Sequence, residues 1–94
     1  TSYSEVNYVV FDVPTNDYHN ELYGFLEAER KSKLNALPKD KIWKNEKTGK
    51  DDNVSLATYI RHSIHHPENN KNKLFTNGEL IKSIDMLRKI KYGK

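Results

Sequence analysis

Three prolines divide this chain into segments that hold only short secondary-structure elements. Pro14, Pro38 and Pro67 have no backbone N–H to donate, so each interrupts a strand ladder or a helix interior. A chain of 94 residues, of which 35% are apolar, has little material for a core. Six Tyr, three Phe and one Trp nevertheless argue against a disordered tail. We therefore expect one small domain over residues 1–94 that a partner or a larger parent protein completes.

Hydrophobic periodicity distinguishes the first two segments. In the first, Val6, Tyr8 and Val10 alternate within a β-branched and aromatic run, which predicts a short strand over residues 6–13. No other segment offers this strand a clear partner, so we expect it to pair outside the chain. In the second, apolar residues recur at helical spacing and predict a helix over about 17–37.

The second half of the chain predicts a long loop and two more helices. Residues 38–53 are polar and predict the loop. A helix over about 54–65 is limited by Pro67 and followed by a polar turn over 68–73. A Thr-x-x-Glu capping box starts another helix over about 77–91. The predicted fold class is mainly α, with about three helices and one short N-terminal β-strand, either alone or as part of a larger α/β protein.

Cysteine is absent, which favours a reducing compartment and removes thiolate chemistry. The start of the chain lacks the basic and apolar regions of a signal peptide. The longest apolar run is about four residues, whereas a membrane span needs about 20. We therefore predict a cytoplasmic protein with no membrane partner, and we assign it no metal and no cofactor.

Basic residues cluster in the predicted C-terminal helix. The formal net charge is +3 and the sequence pI is about 9.1. One interpretation is a phosphate-facing surface, and the other is a solvated lysine surface with interspersed acids. The candidate nucleic-acid-binding residues are Lys82, Arg88, Lys89 and Lys91.

Three of the four histidines lie at the end of the helix predicted over 54–65, directly after Arg61. On a helix, Arg61 and His65 are i,i+4 neighbours, and so are His62 and His66. Histidine moves protons near neutral pH, and arginine offers a planar fork to phosphate oxygens. Metal-free RNA cleavage requires such groups. One removes the 2′-hydroxyl proton, one protonates the leaving oxygen and one stabilises the phosphorane.

The run from Arg61 to His66 resembles the Arg-(Asn/Asp/His)-x-x-x-His signature of HEPN ribonucleases. In that family, helical bundles usually dimerise and place two such motifs across a shared cleft. The resemblance implies that Arg61 and His66 form the catalytic pair, with His62 as the polar residue beside the arginine. The chain departs from the family in two respects. Pro67 directly follows His66, and three predicted helices are fewer than the four or more of a HEPN bundle.

A wider resemblance covers roughly residues 5–90. The sequences Ser-Leu-Ala-Thr-Tyr-Ile-Arg-His at 55–62 and Ile-His-His-Pro-Glu-Asn at 64–69 resemble the C-terminal portion of bacterial AAA/ABC-type ATPases linked to phage defence. Residues 17–23 resemble it more weakly. Some of those ATPases, the anticodon nucleases among them, carry HEPN-like effector regions. No Walker A sequence is present, so we do not expect this chain alone to be an ATPase.

The resemblance thus implies a metal-independent endoribonuclease region of a phage-defence ATPase system. Arg61 would bind the scissile phosphate, and His66, assisted by His65 or His62, would do the acid–base work. The products would be a 2′,3′-cyclic phosphate and a 5′-hydroxyl. The expected partners are RNA, with tRNA as a candidate, an ATPase or nuclease protein, and a second copy in a homodimer or a larger complex.

Three other interpretations stay open. In the first, the chain is a non-enzymatic protein- or nucleic-acid-binding module of a defence complex, which makes its contacts through the basic C-terminal helix and the loop around Trp43. In the second, His62 and His66 form a helical zinc pair. Glu68, His65 or His19 would complete that site. In the third, the histidines only cap the helix end.

Overall fold

Helices dominate the fold, which confirms the mainly α prediction. The residues that the computed structural model describes are 3–11, 13–45, 47–67 and 72–93. They form five helices and one antiparallel hairpin. In chain order the elements are α1 (Tyr3–Phe11), α2 (Asn16–Glu29), α3 (Lys31–Asn35), β1 (Lys41–Lys44), β2 (Asp51–Val54), α4 (Leu56–His65) and α5 (Asn77–Tyr92). None of these helices combines the length and the apolarity that crossing a bilayer requires.

The core lies where α2, α4 and α5 meet. Each of these helices carries apolar side chains at helical spacing, so packing them together removes their apolar faces from water. The fully buried apolar side chains are Tyr18, Leu22 and Leu26 from α2, Ala57 and Ile60 from α4, and Ile84 and Leu87 from α5. A smaller cluster of Trp43, Val54 and Tyr59 attaches the hairpin to α4.

Side-chain caps fix where the three core helices begin. Thr15, Ser55 and Thr76 each accept a hydrogen bond from a backbone N–H of the first turn. Thr76 and Glu79 form the predicted capping box, because the Glu79 carboxylate also accepts from the Thr76 N–H. The two helices predicted in the second half of the chain are confirmed as α4 and α5.

The strand predicted over residues 6–13 is wrong, because its described part forms α1 and the turn that ends it. Glu5 and Tyr8 are three residues apart, which places them on one face of a helix but on opposite faces of a strand. Both reach α5, where Glu5 accepts a hydrogen bond from Tyr92 and Tyr8 donates one to Asp85. These contacts select the helix over the local β propensity. The expected pairing of this segment with a strand outside the chain falls with it.

The helix predicted over residues 17–37 is divided into α2 and α3 at Arg30. The Arg30 backbone leaves the helical region, with φ −138° and ψ 40°. Its N–H donates to the Leu26 carbonyl oxygen and closes α2. The change of direction brings Leu34 of α3 to the core, where it is buried.

The loop predicted over residues 38–53 contains the β1–β2 hairpin, so that prediction is wrong in part. The Asn45 side chain accepts hydrogen bonds from two N–H groups of the tip, and Gly49 adopts a positive φ of 69°. Within the two strands, Trp43 and Val54 are the buried apolar residues. An apolar pattern this sparse gives no strand signal in the sequence.

Candidate functional site

The predicted catalytic residues occupy the last turn of α4 and its C-cap. The helix ends at His65, and the backbone N–H of His66 donates to the carbonyl oxygen of His62. Pro67 disfavours the α conformation in the residue before it, which explains why His66 has φ −128° and ψ 64°. Of the polar turn predicted next, positions 68–71 lie outside the described residues.

Arg61 reaches across to α2. Its Nη1 donates a hydrogen bond to the Asn20 carbonyl oxygen at 3.2 Å. Its Cζ lies 4.7 Å from the centroid of the Tyr23 ring, which is a cation–π contact. A Cβ built on Gly24 would lie 4.0 Å from Arg61 Nη1, which is an ordinary van der Waals distance, so this approach does not require glycine. The guanidinium of Arg61 therefore joins α4 to α2.

His62 packs against the hairpin. Its ring centroid lies 5.2 Å from that of Trp43 and 6.4 Å from that of His66. Burial lowers the pKa of His62, and the neighbouring His66 lowers it further, whereas Asp52 on β2 opposes both effects. The imidazole of His62 is therefore neutral at physiological pH and is able to accept a proton.

The structure brings His62 and His66 together and places Arg61 against a different element. Consecutive positions on a helix differ by about 100°, so Arg61 and His62 meet different neighbours. His65 and His66 are exposed at the end of α4. Within one chain, the guanidinium thus contacts α2, while His62 packs against Trp43 of the hairpin with His66 beside it.

The part of the chain that the structure describes contains no complete ligand set for the zinc site. There, no group of three or more His, Cys, Asp or Glu side chains has an arrangement that could hold a metal ion. His19, one of the proposed ligands, is buried between α2 and α5, with Nε2 at 2.7 Å from Ser83 Oγ. Burial, together with the charge of Arg61, lowers the pKa of His19 to about 4. His19 is therefore a neutral structural residue.

Two of the predicted nucleic-acid-binding residues, Lys82 and Lys89, are exposed on α5. Lys82 borders a cavity of about 370 Å³ between α5 and the hairpin. In the same cavity Lys41 and Glu79 form an ion pair of 2.7 Å. That pairing ties the start of β1 to α5, so Lys82 is the cation of this cavity that lies outside the Lys41–Glu79 pair.

The other two, Arg88 and Lys91, are engaged with neighbouring helices. Arg88 donates a hydrogen bond to the Tyr18 hydroxyl and pairs with Glu5, with 3.7 Å between Nη1 and Oε2. Lys91 lies over the Phe25 ring, with 4.8 Å between Nζ and the ring centroid. The four cations of α5 therefore differ in how far they can reach a ligand.

The outer face of α1 is apolar and exposed. It and the residue just beyond its C-terminal turn supply six of the ten large apolar side chains that are exposed in the described ranges. These six, which we name the α1 apolar face, are Tyr3, Val6, Val9, Val10, Phe11 and Val13. An apolar patch of this kind marks a contact surface, and it stands out on a chain whose mean hydropathy is −0.92.

Three features of the surface became clear only in the structure. The loop around Trp43 was one proposed contact region, but the Trp43 ring itself is 4% exposed and packs edge-on against Tyr59, so it anchors the hairpin to α4. Phe25 and Tyr92 are exposed. Their exposure was not predictable, because helical spacing does not distinguish a ring at the edge of an apolar stripe from a buried ring. The α1 apolar face was concealed by the strand prediction, because a short apolar run fits both structures.

No protein-family model matches the chain, and no curated protein or solved structure matches it.

We expect the protonation of buried His19 at low pH to destabilise the fold. Because its pKa is about 4 in the folded chain and near 6.5 when unfolded, the unfolded chain binds the proton first as the pH falls. The contribution of neutral His19 to the free energy of unfolding is complete above pH 6.5, and about 3 kcal/mol of that free energy is lost between pH 6.5 and pH 4. Urea unfolding at a series of pH values should show a smaller loss for His19→Gln. An NMR titration in which His19 titrates near pH 6.5 would contradict this assignment.

Proposed function

We propose that this chain is a non-enzymatic protein-docking module whose α1 apolar face binds another polypeptide. The exposure of that face is the observation that supports the proposal. Its six large apolar side chains are between 37% and 83% exposed. A helix with so much exposed apolar surface gains free energy when a second surface removes it from water.

The chemistry of α1 favours a polypeptide over other ligands. Residues 3–13 contain no lysine or arginine, so the face lacks the cations that hold lipid headgroups or nucleic-acid phosphates. Within α1, Tyr3, Val6 and Val10 are spaced by three and four residues. This is the spacing of the a and d positions along a seam between two helices.

A second copy of the chain is the partner that fits this seam most simply. Two α1 helices related by a two-fold axis would pack the same apolar residues against each other. The nine residues of α1 span about 14 Å, which is short for an interface that normally buries about 800 Å² per partner. We therefore expect a weak homodimer with a dissociation constant above about 1 µM. In a larger complex, an ATPase or nuclease subunit would add contact area.

Replacing one valine of the face should weaken self-association. Val10→Asp places a charge in the seam, and we expect the dissociation constant to rise about 10- to 100-fold, as the loss of one buried valine implies. Sedimentation equilibrium measures this change. Val10→Ala removes apolar area while preserving helix propensity, so it should show a smaller weakening with α1 intact by circular dichroism.

Leu74→Asp is the matched control, because Leu74 is 76% exposed and lies outside α1. It makes the same apolar-to-acid change and should leave the dissociation constant unchanged. A chain that stays monomeric up to about 1 mM would contradict the homodimer. Equal weakening by Leu74→Asp and Val10→Asp would show that the α1 apolar face is not the contact.

A second candidate function is the HEPN-like metal-independent endoribonuclease region, and the imidazoles at the end of α4 favour it. His62 has a lowered pKa and can act as a base, with His65 and His66 exposed beside it. Arg61 would bind the scissile phosphate. Because Arg61 and the imidazole pair contact different elements of one chain, we expect the complete catalytic group to include residues of a second copy.

Cleavage of tRNA in EDTA tests this second function. The unmodified chain should produce 2′,3′-cyclic phosphate ends, and Arg61→Ala and His66→Ala should each reduce the rate by about 100-fold or more. Lys33→Ala removes an exposed lysine from α3 and should leave the rate unchanged. The nuclease would be ruled out for this chain if the unmodified chain did not cleave tRNA, or if the Arg61→Ala and His66→Ala variants cleaved it as fast as the unmodified chain.

A further inference from the structure

Cations and exposed aromatic rings alternate where the end of α5 meets α2. Lys91 Nζ lies 4.8 Å from the centroid of the Phe25 ring and 5.2 Å from that of the Tyr92 ring. Arg88 Cζ lies 5.0 Å from the Tyr92 ring. The two aromatic residues remain 42% and 45% exposed, so part of each ring stays open to solvent.

A cavity opens beside the Tyr92 ring. Its volume is about 630 Å³, within the usual range of sites for small ligands, and its lining includes Lys89, Arg88, Tyr92 and Asp85. Lys89 is exposed at its border. The cavity therefore adds a concave space and another cation next to Tyr92, whose ring Lys91 links to that of Phe25.

The cations and carboxylates around the rings balance. Glu5 pairs with Arg88 at 3.7 Å, the Asp85 carboxylate lines the cavity, and the Glu21 carboxylate interacts with Tyr92. Three cations against three carboxylates leave no net charge, and Lys89 and Lys91 are the two cations outside the Arg88–Glu5 pair. A nucleic acid held here would gain more binding free energy from contact with the rings than from the neutralisation of its phosphate charges.

We propose that the residues Phe25, Arg88, Lys89, Lys91 and Tyr92, named here the α5 basic–aromatic surface, bind single-stranded nucleic acid without sequence preference. Bases stack on the exposed parts of Phe25 and Tyr92, because every base offers a π-face. Lys89 and Lys91 meet the phosphates between them. Arg88 holds the Tyr92 ring in place. In a duplex the base faces are covered by their neighbours, so the surface favours single strands.

The balance between stacking and charge makes the salt dependence specific. Two phosphate contacts on a single strand predict that log K falls against log salt with a slope of about −1.4. A purely electrostatic lysine surface engaging six or more phosphates would give a slope steeper than about −4. The slope therefore separates stacking on this surface from general adhesion of a basic chain.

Fluorescence anisotropy with labelled oligouridylate and oligothymidylate of about 12 nucleotides tests the proposal on the full chain. Both strands should bind at about 50 mM salt, with the shallow slope, and more tightly than a duplex of the same length. Phe25→Ala and Tyr92→Ala should each weaken binding about 5- to 150-fold. Lys89→Ala should reduce the magnitude of the slope by roughly 0.7.

Two matched variants keep the test independent of folding. Tyr92→Phe retains the ring but loses the hydroxyl that donates to Glu5, so it should restore most of the binding that Tyr92→Ala loses. Lys33→Ala removes an exposed lysine elsewhere and should leave binding unchanged. The proposal would be overturned if neither strand bound, or if the duplex bound as tightly as the single strands. It would also be overturned if Lys33→Ala weakened binding as much as Lys91→Ala. The Val10→Asp dimer variant should bind both strands normally, so this result stands apart from the docking proposal.

Discussion

The Arg88 guanidinium joins three helices, and the outward display of α1 depends on it. It donates to the Tyr18 hydroxyl on α2, pairs with Glu5 on α1 and lies over the Tyr92 ring at the end of α5. The Tyr92 hydroxyl donates to the same Glu5 carboxylate, and this hydrogen bond lowers the pKa of Glu5. α1 is thus attached through its polar edge, which leaves its valines facing outward. A helix held in this way presents apolar surface without unfolding.

Packing also decides which residues at the end of α4 are exposed to solvent. Arg61 is occupied between α4 and α2, and His62 is half-buried against Trp43, so His65 and His66 are the exposed members of the predicted catalytic group. A nuclease built from these residues would draw on a second copy. The docking proposal also requires a second polypeptide at the α1 apolar face. Association of two chains is therefore common to both proposed functions.

The sequence predicted those elements whose signals are local. α4 was found because a cap, a proline limit and a 3.6-residue apolar period agree with one another, and α5 because a capping box and the same period agree. α1 was mistaken for a strand because its helix is selected by distant contacts of Glu5 and Tyr8 with α5. The hairpin was missed because its strands are mostly polar. The place of the histidines was predictable, but their neighbours were not, since nothing in the sequence pairs Trp43 with His62.

Concentration-dependent hydrogen exchange tests the central claim, that another copy covers the α1 apolar face, most directly. Amide protection is measured for residues 3–11 and for α5 as the chain concentration rises from about 1 µM to about 1 mM. The account predicts that protection of residues 3–11 increases across this range while protection of the buried turns of α5 stays constant. Protection of residues 3–11 that is the same at every concentration would contradict it.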